Sequence, residues 1–182
     1  MTAAIRSARL DLVSLAPEFL DAALAGDSVE ASRLLGARVP DDWPDLRDTQ
    51  QLFLERLRGD PALAPWSLRA IVLREERRMV GHIGCHAPAT PDGVELAYTV
   101  FAPDRLRGFA REACRALMDW ARRAHGVERF VLSIAPGNAA SLALARSLGS
   151  ARGVRTSLGL REQGDDGQEG RRTEPVAERE RE

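Results

Sequence analysis

No lysine occurs in this chain, and all 26 of its basic residues are arginine. The protein therefore has no lysine of its own to modify, and the uniform choice reads as coding bias rather than arginine chemistry. Cysteine is nearly absent as well. Cys85 and Cys114 are too few for a disulfide scaffold or a closed metal site, and the three histidines lack ligand spacing with them, so no metal is expected. No apolar run approaches the roughly 18 residues of a membrane span. Residues 1–14 are interrupted by Arg6, Arg9 and Asp11 and lack the unbroken apolar stretch of a secretory signal, which makes a cytoplasmic address the expectation. A net charge of -1 and a pI near 6.3 supply no electrostatic drive toward nucleic acid or an anionic membrane, and neither is expected as a partner.

What is present fits one soluble globular domain. At 182 residues, 44% hydrophobic and 29% charged, the chain can build a single core. We place the domain at residues 1–160. Residues 161–182 are mostly Gly, Glu, Arg and Asp, with Val176 and Ala177 nearly alone as apolar side chains. Such a segment reads as a polar tail that cannot bury enough surface to stay ordered unaided. Oligomeric state is not readable, and a homodimer stays open.

Residues 9–15 alternate at period two and read as a strand, followed by a short helix over 17–25 with Pro17 in its first turn. Residues 45–57 carry Leu46, Leu52, Phe53 and Leu57 on one helical face. Residues 68–73 and 79–85 form a hairpin around the charged stretch 74–78, and 94–101 is a further strand. The spacing predicts a long amphipathic helix over 108–125, ended by Gly126. A strand over 129–135, a helix over 138–148 with Asn138 as N-cap, and a weak strand near 156–160 complete the pattern.

The most informative segment joins an apolar strand to the long helix: Arg105-Leu106-Arg107-Gly108-Phe109-Ala110. Backbone N–H groups at a helix start lack intrahelical partners and sit at the positive end of the helix dipole, so they attract phosphate. Gly108 and Ala110 keep the approach open, while Arg105, Arg107 and Arg111 can add charge-assisted hydrogen bonds. The bare pattern Arg-x-x-Gly-x-Ala also fits residues 146–151, where Gly149 more naturally ends a helix. Context therefore carries the inference.

Strand, Arg-x-x-Gly-x-Ala, long helix, strand, then Asn138-x-x-Ser141 and Leu148-Gly149 in a final helix resembles the GNAT superfamily of acetyl-CoA-dependent N-acetyltransferases, over residues 9–154. Residues 94–100, the run Gly108-Phe109-Ala110-x-Glu112-Ala113 and the Asn138/Ser141 pair are most similar to the branch that includes ribosomal-protein N-terminal acetyltransferases. The resemblance implies a mixed α/β fold, with a central, mostly antiparallel sheet and helices on both faces. It implies acetyl-CoA as cosubstrate, with Arg105, Leu106, Arg107, Gly108, Phe109, Ala110 and Arg111 around its pyrophosphate. The backbone of Tyr98 and Val100 would lie along the pantetheine arm, with Asn138 and Ser141 lining the same carrier. Asn138 and Ser141 also read as an ordinary cap and first turn, and the two readings are compatible.

The implied reaction is direct attack of a neutral primary amine on the thioester, which needs a proton acceptor and a donor for the leaving thiolate. Glu95 is the candidate acceptor; its other reading is a strand glutamate paired with an arginine. Relatives often carry a tyrosine in the last helix as the acid. Leu144 stands at that place here, leaving Ser141 or water. Leu106 replaces a frequent glycine and Ser150 an aromatic. His82 and His86 read as packing or hydrogen-bonding residues in a partly buried strand, Cys114 as core, and Trp43 and Trp66 as packing residues or borders of the acceptor site. The acceptor is an N-terminal α-amine or a small-molecule amine. At about pH 7.4 roughly a quarter of α-amines but only about a thousandth of lysines are neutral, which favours the former. A catalytically weak acyl-CoA-binding sensor or structural protein is the alternative. An unrelated α/β nucleotide binder is disfavoured because neither Gly-x-Gly-x-x-Gly nor Gly-Lys-Ser/Thr occurs.

Overall fold

Alternation along the central strands decides how the layers stack. In β3 (Arg69–Leu73), Ile71 and Leu73 face one way and Ala70 and Val72 the other, and all are buried. Apolar side chains on both faces require cover on both. The computed structural model describes residues 3–41, 43, 47–135, 137–149 and, for the backbone alone, 154–158.

The strands are β1 (Ile5–Arg6), β2 (Leu10–Ser14), β3, β4 (Arg78–Cys85), β5 (Val94–Val100), β6 (Phe130–Ile134) and β7 (Val154–Leu158). They form one sheet in sequence order, antiparallel from β1 to β5 and parallel from β5 to β7. The last strand begins two residues before the expected one. Residues 159–182, including the expected tail, lie outside the described residues.

Helices α1 (Pro17–Leu24), α2 (Ser28–Leu35) and α3 (Arg47–Gly59) cover one face. Their Phe19, Leu20, Phe53, Leu54 and Leu57 bury against Leu68, Ala70, Val72 and Met79. Helix α4 (Phe109–His125) covers the other, packing Phe109, Ala113, Cys114, Leu117 and Ala121 onto Leu10, Leu12, Ile71 and Ile83. Helix α5 (Ala139–Gly149) lies beside α4, with Ala145 and Leu148 in the same core. Cys114 is fully buried, as its place on the apolar stripe implied.

Caps follow local chemistry. Asp27 accepts the Glu30 N–H at 2.9 Å to start α2. Gly126, at φ 66°, ends α4 in the left-handed conformation that a side chain resists. Gly81 marks the closest approach within the sheet, since a Cβ there would stand 2.1 Å from the Thr99 carbonyl oxygen.

Candidate functional site

The sheet is open in its middle. β5 and β6 pair at only two positions, Val94 with Phe130 and Glu95 with Val131, although β5 runs on to Val100 and β6 to Ile134. Beyond Glu95 the two strands part as a wedge. On its other side β5 stays paired with β4, from Leu96 opposite Cys85 to Val100 opposite Gly81. The edge of β5 that faces the wedge thus presents N–H and C=O groups to which an extended, amide-bearing chain can bond like an added strand.

At the open end of the wedge lies the loop before α4. A short 3-10 turn, Ala102–Asp104, leads through Arg105 to Leu106 at φ 63° and Gly108 at φ 82°. Gly108 is the N-cap and offers no side chain to the helix, so the leading N–H groups of a 17-residue helix are left for another partner. Leu106 is fully exposed in a left-handed conformation that costs roughly 1–2 kcal/mol for a non-glycine residue.

The loop is braced from below. Arg78 holds Asp104 with two hydrogen bonds of 2.6 and 2.8 Å, and Arg107 adds a third at 2.9 Å. The Arg78 guanidinium is the main reason the buried Asp104 carboxyl lies below the usual carboxylate range. Arg105 donates to the Val100 carbonyl at 3.1 Å. Arg9 donates to the Arg107 carbonyl at 3.2 Å and stacks 4.6 Å above the Phe109 ring, while its Nε donates to Glu112 at 2.8 Å. Of the three arginines expected at the phosphates, Arg105 and Arg107 therefore also hold the loop's shape, and Arg111 is exposed on the first turn of α4.

Across the wedge, the Tyr98 hydroxyl donates to Ser141 Oγ at 3.0 Å, and the Ser141 N–H donates to Asn138 Oδ1 at 3.0 Å. Asn138 thus performs the capping role read from sequence. Burial raises the Tyr98 phenol above its ordinary value, against a smaller opposing effect of the Ser141 hydrogen bond. Leu144 packs against the core and carries no acid.

On the face covered by α1–α3 a cavity of about 870 Å³ lies between α2, β4 and β5, reaching Arg105 at one end. Its wall includes Asp41, Trp43, His82, Thr99 and Phe101. His82 is buried, and desolvation depresses its pKa to about 4, so the ring is neutral near pH 7. Trp43 Nε1 can only donate, at 3.4 Å, so His82 Nδ1 holds a lone pair and the neutral ring carries its proton on Nε2. It is a hydrogen-bond donor toward its surroundings. Trp66, in contrast, packs on Trp120 with ring centres 5.6 Å apart and borders a separate cavity of about 190 Å³.

Glu95 sits at the closed end of the wedge, at the last paired rung. A histidine is among its neighbours. His86 Nε2 lies 3.9 Å from Glu95 Oε1, and His86 is 43% exposed where a packing or hydrogen-bonding residue of a partly buried strand was expected.

The family model of the acetyltransferase (GNAT) domain matches residues 9–151. This chain belongs to the GNAT acetyltransferase family. It is an N-acetyltransferase, with the sheet and helices that the resemblance implied. A solved acetyltransferase from Agrobacterium tumefaciens is 27% identical, with a TM-score of 0.55 over 82% of this chain and 84% of that one. A ribosomal-protein-S5-alanine acetyltransferase from Vibrio fischeri is 17% identical, with a TM-score of 0.57 over 81% and 82%. The ribosomal L7/L12 alpha-N-protein acetyltransferase RimL, solved with coenzyme A, is 21% identical, with a TM-score of 0.56 over 79% and 81%. The last two likenesses concern the fold alone. No curated protein matches.

Within this GNAT domain, the structure brings Tyr98, Val100, Asn138, Ser141 and the 105–111 loop around one wedge and leaves Glu95 at its apex. Sequence reasoning missed the cavity and the neutral His82, because the Trp43–His82 contact joins residues 39 positions apart. Among the described residues, no helix is long and apolar enough to cross a membrane, and no group of three or more His, Cys, Asp or Glu side chains is placed to hold a metal ion.

Proposed function

We propose that this GNAT domain transfers the acetyl group of acetyl-CoA to a primary amine, a protein N-terminal α-amine or a small-molecule amine. The observation that carries this reading is the alignment of two features: the wedge beside β5 opens toward the N-terminus of α4. A pantetheine arm along residues 96–100 would end in phosphates at Gly108–Arg111. Acetyl-CoA brings the activated acyl group as a thioester.

The chain supplies the rest. Glu95, at the apex, takes the proton that the incoming ammonium must lose. Ser141 relays to the departing sulfur the second proton that the nitrogen loses as the amide forms, giving its own proton and taking that one in return: one of its lone pairs already accepts the Tyr98 O–H, which leaves the serine proton free to point into the wedge. The cavity lined by Trp43, His82 and Thr99 receives the acceptor, with the neutral His82 as a fixed hydrogen-bond donor.

Titration calorimetry with acetyl-CoA, and with CoA and ATP as controls, tests the first step. Binding that Gly108→Glu abolishes is expected; absence of binding by the folded wild type would refute it. Leu144, partly buried against the core where an acid would otherwise stand, keeps the catalytically weak acyl-CoA-binding sensor or structural protein as a second reading. An unchanged basal acyl-transfer rate in Glu95→Gln would favour the sensor.

A further inference from the structure

The register of the β4–β5 hairpin places two titratable side chains together at the wedge apex. Cys85 lies opposite Leu96, so His86, one residue beyond β4, falls opposite Glu95. The His86 N–H donates to the Glu95 carbonyl at 3.0 Å, and that bond sets both backbones so that His86 Nε2 stands 3.9 Å from Glu95 Oε1. From α3, Arg56 Nη1 donates to the His86 carbonyl at 2.8 Å and holds the residue from a second side. The two side chains differ in access to water, with Glu95 17% and His86 43% exposed. His86 also lines the cavity of about 190 Å³ that opens between α3 and the end of β4.

A general base that gains a proton in each turnover must also lose it. At the closed end of a wedge filled by acetyl-CoA and acceptor, Glu95 has little direct contact with water. With ordinary pKa values of about 6.5 and 4.3, an imidazole holds a proton roughly a hundredfold better than a glutamate. Resting on the reading of Glu95 as the base, we infer that His86 is its proton outlet, a positioning residue that acts through the carboxylate. The acceptor ammonium gives one proton to the Glu95 carboxylate and becomes a neutral amine. The carboxylic acid passes that proton to neutral His86 Nε2 when the exposed ring swings in to hydrogen-bond distance. The imidazolium releases it from Nδ1 to water, and both groups return to their starting states. Among the described residues, the charged and titratable groups facing His86 include Glu95 from β5, Arg56 from α3 and the adjacent Cys85 thiol, which burial pushes up to about 12 and which stays neutral.

Two measurements on the full chain test this. With three histidines in the sequence, the His86 ring resonances can be assigned by His86→Gln and titrated by NMR. Coupling to the carboxylate predicts that His86 titrates at least about half a pH unit higher in the wild type than in Glu95→Gln. Equal titration in the two proteins overturns the pairing. The second is acetyl transfer from acetyl-CoA to a lysine-free peptide with a free α-amine, followed by thiol release. Glu95→Gln is expected to lose about a hundredfold or more in kcat, and His86→Gln about tenfold, with added imidazole restoring much of the latter. The double variant should be no slower than Glu95→Gln. An unaffected Glu95→Gln sinks the base reading itself. An impaired Glu95→Gln beside a normal His86→Gln, or a His86→Gln defect that imidazole leaves unchanged, overturns the outlet alone. If the peptide is not turned over, the peptide reading of the acceptor fails, a small-molecule amine takes its place in the assay, and the titration decides the pairing.

Discussion

Acidification from pH 8 to pH 5 is expected to destabilise this protein through His82 in particular. The folded ring has a pKa of about 4 against 6.5 for an ordinary histidine. Between those values the unfolded chain binds the proton and the folded chain does not. Stability therefore falls as pH drops through 6.5, and the loss is complete near 4. At about 1.4 kcal/mol for each tenfold change in proton affinity, the full effect is about 3 kcal/mol, of which about 2 kcal/mol is lost by pH 5. For a chain of this size that corresponds to roughly 4–8 °C in Tm. Urea unfolding followed by tryptophan fluorescence at the two pH values, on wild type and His82→Gln, isolates the effect. Glutamine keeps an acceptor for Trp43 and leaves every other titrating group in place. The difference between the two pH dependences belongs to His82. Equal losses in wild type and variant would refute both the buried neutral ring and the cavity wall built on it.

Three further outcomes are expected. Gly81→Ala drives a Cβ to 2.1 Å from the Thr99 carbonyl, so it should cost more than about 3 kcal/mol in urea unfolding; a change near zero would contradict the tight β4–β5 approach. Arg69 is fully buried, with Nε and Nη1 lacking hydrogen-bond partners among the described residues and the guanidinium 5.0 Å above the Trp120 ring. Arg69→Met should therefore raise stability by about 1–3 kcal/mol, and a lowered Tm would show that the charge is needed. Burial acts to raise the Glu112 carboxyl, but hydrogen bonds from Ser7, the Arg9 N–H and the Arg9 side chain outweigh it and hold the group low. That stabilisation is present above about pH 4.5 and lost as the pH falls further. Glu112→Gln should cost about 1–3 kcal/mol at pH 7 and flatten the acid limb of the stability curve; an unchanged limb would count against the clamp.

What could be read from the sequence was whatever a short segment determines alone. The hairpin of strands over 68–73 and 79–85, the apolar stripe of α4 and the glycine at its start each follow from local composition and spacing, and each stands within a residue of where it was expected. Helix α2 was missed because its run buries only Ala31 and carries little apolar signal. β1 spans two residues, and Pro61–Trp66 forms a 3-10 turn around two prolines. The site depended on register. That Glu95 meets His86 turns on how many residues the β4–β5 connection absorbs, and spacing alone does not count them. Likewise the loop arginines read as phosphate ligands in sequence, while their hydrogen bonds to Asp104 and Val100 become visible only once α4 and β5 are placed.

The two-rung junction between β5 and β6 makes the sheet mechanically two sheets. β1–β5 form one leaf and β6–β7 the other, hinged at Glu95 and held apart from there on. A carrier bonded along the free edge of β5 would act as mortar between the leaves, adding main-chain bonds where the strands make none to each other. Substrate binding and the cohesion of the C-terminal half of the sheet would then be linked, so that loading the carrier tightens the seam it occupies.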